Sequence, residues 1–280
     1  MIETKRSLTL LFGILLFFGL YLASLYNYLL FHSIAELFSV FVAIGIFMLA
    51  WNSRRFLDNS YLLFLGIAYL FIGALDTLHT LAYAGMGVFE GYKTNLPTQL
   101  WIVARYMESL SLLIAPLLLG KKLRVNFIFF IYAAVMVFLL GSIFYWDIFP
   151  ACFVEGYGLT AFKKMSEVII SLIFVGAIWS LFKKRKFFEP DIFRLLVASI
   201  IVTIASELAF MFYVHAYGIS NLAGHYLKIV SFILIYRALI KAGLNKPYNL
   251  LFRELKECDE SLRHAQAIAH VGSIPPPWAF

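Results

Sequence analysis

The chain's 280 residues are 62% hydrophobic and only 14% charged, which excludes an ordinary soluble domain and a disordered one. The net charge is +7, but the basic residues sit in short segments between apolar runs, so the charge reads as membrane topology and not as a nucleic-acid surface. Two cysteines, Cys152 and Cys258, are too few for a disulfide framework, and their expected sides of the membrane differ.

Lys5 and Arg6 precede the first apolar run. That run is longer than a signal-peptide core and has no clear small-residue cleavage site, so it reads as a retained span. Apolar length predicts eight spans, over residues 7–30, 32–51, 61–83, 98–119, 126–146, 162–182, 192–215 and 222–240. The first two join near Phe31. No internal repeat is evident, which argues against a transporter built from inverted halves. With a cytoplasmic N-terminus, one side collects Arg54, Arg55, Lys121, Lys122, Arg124, Lys183 to Lys186, Arg194, Lys241 and Lys246. The other side holds Lys93, Lys163 and Lys164. This asymmetry places both termini in the cytoplasm. The expected fold class is therefore all-α, a polytopic transmembrane helix bundle in contact with the lipid bilayer.

Two longer connections, 84–97 and 147–161, lie on the outer side, and the polar residues of the spans gather toward it. His32 and Glu36 are one turn apart in the second span, and Asp76 and His79 share a face of the third. Arg105 and Glu108 lie in the upper half of the fourth. Glu167 starts the sixth, Glu207 is mid-way along the seventh with His215 at its end, and His225 and Lys228 begin the eighth. Charge at membrane depth is costly, so such groups face a protein interior or a wet cavity. As a set they are candidates for a ligand or cofactor site: a transition metal held by His32, His79, His215 and His225 and oriented by neighbouring acids, or a haem held by two facing histidines. A proton relay and an anion site around Arg105 are also open. The blander alternatives are an internal Arg105–Glu108 ion pair and interfacial histidines that meet only headgroups or water.

Beyond Gly243 the pattern changes. Leu244, Tyr248, Leu251, Leu255, Cys258, Leu262, Ala265 and Ala269 alternate at spacings of four and three, a heptad seam. This predicts a C-terminal cytoplasmic coiled-coil helix, a homodimer through it, and signal relay along Leu251, Leu255, Cys258 and Leu262. A single amphipathic helix on a neighbouring domain is the alternative.

Several segments resemble the third membrane-associated sensor (MASE) family. They are Phe31-His32-Ser33-Ile34-Ala35-Glu36, Ala50-Trp51-Asn52-Ser53-Arg54, Leu75-Asp76-Thr77-Leu78-His79-Thr80-Leu81-Ala82-Tyr83, and Gly85-Met86-Gly87-Val88-Phe89. The resemblance covers about 7–242. It implies an integral-membrane input domain of the bacterial inner membrane that signals to a cytoplasmic domain or protein, such as a PAS domain, histidine kinase or diguanylate cyclase. It does not supply a site chemistry. Residues 261–273 also resemble the lead-in helix of a PAS domain, after which Pro275, Pro276 and Pro277 forbid a paired strand. The expected organisation is a membrane sensor domain over 1–243, a signalling helix and PAS lead-in over 244–273, and an irregular tail over 274–280. No catalytic domain is recognisable. A truncated product, a fragment and a module acting through a partner all remain open. The rival functions are a haem- or metal-binding membrane redox protein and a transporter.

Overall fold

Asn27 breaks the first apolar run. Its side chain accepts from the Leu30 amide at 3.1 Å, which caps a new helix where the hydrophobic sequence continues on both sides. In the computed structural model, which describes residues 2–54, 59–211 and 218–243, α1 spans Ile2–Tyr26 and α2 spans Tyr28–Ser53. The join therefore lies four residues before the expected one, and Phe31 and His32 belong to the first turns of α2. The remaining helices are α3 (Ser60–Ala82), α4 (Asn95–Ile114), α5 (Val125–Phe144), α6 (Ala161–Lys183), α7 (Pro190–Met211) and α8 (Ile219–Gly243). Seven of them, α2 to α8, are long and apolar enough to cross a membrane, α4 doing so with the 3-10 turn Ala115–Leu118 that extends it. In α1, residues 11–26 form a shorter apolar stretch.

Side-chain contacts fix the helix directions. Asp76 meets Arg105 and Tyr69 meets Glu108, so α3 and α4 run antiparallel. Phe210 meets His225 while Asp191 meets Lys241, so α7 and α8 do the same. His225 lies on His32 and Tyr236 reaches Gly45, so α8 runs parallel to α2. α3 is buried on nearly every side and forms the centre, with α4 beside it. Small residues let α2 approach α3 closely: a Cβ on Gly66 would collide with that of Ala50, and one on Gly73 would stand 3.0 Å from that of Ala43. By contrast α5 is exposed along almost its whole length, as an apolar helix facing lipid must be.

One end of the bundle, termed the rim below, carries the connections 83–94 and 145–160. There the second connection contains a small antiparallel hairpin, β1 (Phe153–Val154) and β2 (Gly158–Leu159). It is tied to α4. Asn95 Oδ1 accepts from the Cys152 and Phe153 amides at 2.8 and 3.0 Å, and Gln99 Nε2 donates to Phe149 O and Pro150 O. This anchoring starts α4 at Asn95, three residues earlier than apolar length alone indicated. Gly85, at φ 97°, makes the turn in which Met86 N donates to Tyr83 O and holds Tyr83 at the rim.

Cys152 is buried in this rim and is a free thiol. Burial pushes the Cys152 thiol up to about 12, with the carboxylate of Glu167 adding to the effect and Lys163 opposing it. At pH 7.5 it therefore carries about a thousandfold less thiolate than an ordinary cysteine. In a Cys258→Ser background, a maleimide should label the folded protein very slowly and the denatured protein at once, with the folded rate rising as pH rises. Rapid labelling of folded protein at pH 7.5 would contradict the buried placement.

Candidate functional site

The buried polar residues converge on the rim half of the bundle, in layers set by helix register. Nearest the rim are three histidines. His32 stacks on Tyr83 with ring centroids 3.6 Å apart, and lies 4.9 Å from His225 and 5.5 Å from His79. They line a cavity of about 50 Å3 with Trp101, Phe210 and Asn221. That space takes an ion or a few waters. A haem macrocycle does not fit it as it stands.

Two of the histidines are aimed by backbone carbonyls. His79 Nδ1 lies 2.7 Å from Pro97 O, and His225 Nδ1 lies 2.8 Å from Asn221 O. A carbonyl can only accept, so in each ring Nδ1 carries the proton and Nε2 is left for another partner. His225 Nε2 faces Glu36 Oε1 at 3.4 Å, and neither atom has a hydrogen-bond partner. His32 is fully buried, and neither of its ring nitrogens has one.

One turn deeper lies a chain of charges. Lys228 Nζ stands 2.5 Å from Glu36 Oε2 and 3.3 Å from Asp76 Oδ2, above the Trp101 ring. Arg105 Nη2 contacts both oxygens of Asp76, at 2.7 and 2.8 Å, and Nη1 pairs with Glu108. The Tyr69 hydroxyl closes the series on Glu108 Oε1 at 3.0 Å. The ladder thus crosses α8, α2, α3 and α4. All its charged members are at most 3% exposed. Removing charges from water is expensive, and pairing each charge with an opposite one is what makes such a layer tolerable.

A second cluster joins α6 and α7. Lys163 Nζ lies 2.5 Å from Glu167 and 3.2 Å from Phe210 O, and the Glu207 carboxyl faces Glu167.

The structure brings together His32, Glu36, Asp76, His79, Arg105, Glu108 and His225. Glu207 faces Glu167 in the second cluster and lies within electrostatic reach of Arg105 and Glu108. His215 and the relay positions Leu251, Leu255, Cys258 and Leu262 lie outside the described residues, as does the rest of the expected coiled coil. The expected pairings change. Asp76 turns to Arg105 and Lys228 and not to His79, and Glu36 turns to Lys228 and His225 and not to His32, because each partner approaches from another helix. The Arg105–Glu108 pair is present, but as part of a longer ladder. His32 and His225 are core residues and not interfacial ones. Lys163, counted among the outer-side charges, is buried, since α6 begins at Ala161 and turns it inward. Its i,i+4 spacing to Glu167 was the signal. Tyr69, Tyr83 and Trp101 had no signal in a sequence so rich in aromatics.

A bundle of this kind, with apolar helices around a buried polar ladder, defines a multi-pass membrane protein. A family model described as a membrane-associated sensor domain, MASE3, matches residues 23–247, and the chain belongs to that family. No curated protein and no solved structure matches it.

Proposed function

We propose that the chain is the sensory input module of a bacterial inner-membrane signalling protein, that its stimulus is received at the polar site under the rim, and that α8 carries the response to a cytoplasmic output of histidine kinase or diguanylate cyclase type. The observation that carries the reading is Lys228. It stands on the last described helix and grips Glu36 of α2 and Asp76 of α3. A ligand that favours one arrangement of this grip over another must shift α8, because a stimulus acts through its differential affinity for two packings. The basic residues of the opposite end support a cytoplasmic position for both termini. Residues 244–273 then form the signalling helix, dimerised along the heptad seam.

Spin labels at Lys122 and Lys241, both at the end away from the rim, test this in nanodiscs. Lys228→Met should displace or broaden the distance distribution, and Lys228→Arg should preserve it. An unchanged distribution in Lys228→Met means that the polar site does not govern the exit of α8.

A further inference from the structure

We infer that His32, Glu36 and His225 form a binding site for a divalent first-row transition-metal ion beneath the rim. The inference names a ligand class for the site proposed above. It rests on that reading for its role in signalling; ion binding stands on the geometry alone.

Three observations converge. One donor atom from each residue lies within 4.8 Å of the other two, and all three side chains are buried. His32 and Glu36 are one turn apart on α2, and His225 enters from α8, so two helices supply two imidazoles and one carboxylate, a donor set of the type that holds zinc or iron. The donors are also aimed: the Asn221 carbonyl holds Nδ1 of His225, which directs Nε2 at Glu36 Oε1, 3.4 Å away. His32 is the strongest sign, an imidazole with no hydrogen bond in a fully buried position. His79, held through Nδ1 by Pro97 O, lines the same cavity as His32 and His225, which has room for a water to complete the coordination.

The site as described is somewhat open. Donors around a tetrahedral zinc stand about 3.3 Å apart, from bond lengths near 2.0–2.1 Å. His225 Nε2 and Glu36 Oε1 already stand 3.4 Å apart, so closing onto an ion requires the His32 ring to move onto that pair. The ion also competes with Lys228 for the charge of Glu36. Binding therefore loosens the same Lys228–Glu36 grip on which the relay depends.

The whole chain, purified without a histidine tag and stripped with a chelator, is titrated with Zn2+ and with Co2+ in nanodiscs, by calorimetry and by the visible absorption of cobalt. The expected result is one equivalent bound, with a cobalt spectrum carrying nitrogen ligands. His32→Asn and Glu36→Gln, each checked for a retained helical spectrum and melting transition, should weaken binding at least about tenfold. Lack of binding by either ion, or binding unchanged in both variants, overturns the site and leaves His225–Glu36 as a direct contact between side chains. In that event the spin-label response to Lys228→Met still stands or falls separately, so loss of the ion and loss of the relay are told apart.

Discussion

Arg105→Met lowers the stability of the bundle by about 3–5 kcal/mol, the cost of removing one member of a buried ion pair. The guanidinium makes two contacts to Asp76, one to Glu108, and lies 4.8 Å from the Trp101 ring. The loss is not shared equally. Asp76 keeps Lys228 at 3.3 Å, whereas Glu108 keeps only the Tyr69 hydroxyl. The uncompensated charge is therefore that of Glu108. Adding Glu108→Gln to Arg105→Met should recover most of the loss, and adding Asp76→Asn should recover less. Unfolding in mixed micelles, followed by tryptophan fluorescence, reads all three. A loss below about 1 kcal/mol for Arg105→Met would match an exposed pair and contradict its burial.

The helices were legible because each is an apolar run of membrane length, and the polar residues were legible as a group because charge stands out in such runs. What sequence could not supply was the pairing. Within one helix, spacing couples Asp76 to His79 and His32 to Glu36. In the folded chain the decisive bonds cross between helices, and Lys228 meets Glu36 across 192 residues. Helix ends failed for a related reason. Tyr28, Leu29 and Leu30 are apolar on both readings, so hydropathy passed over a boundary that the Asn27 cap decides. The direction of Lys163 was not legible because a lysine at a span start satisfies hydropathy whether it points to water or inward, and only the partners Glu167 and Phe210 O settle it.

Lys228→Met should be nearly as costly as Arg105→Met, and its effect is asymmetric with that of its partner. Without the ammonium, Glu36 Oε2 loses its contact at 2.5 Å and the carboxylate is left facing His225, while Asp76 is still held by both bonds to Arg105. The expected loss is again about 3–5 kcal/mol. Glu36→Gln removes the charge from the other side. There Lys228 retains Asp76 at 3.3 Å and the neutral amide can still accept from it, so the loss should be smaller. Since one contact underlies both effects, the double variant should be less destabilised than the sum of the singles by about 0.5–3 kcal/mol. Strict additivity across this cycle would mean that α2 and α8 are not energetically joined at this point. A measured coupling gives the strength of the grip by which the second helix holds the eighth, and so sets the differential affinity that a ligand under the rim needs in order to release it.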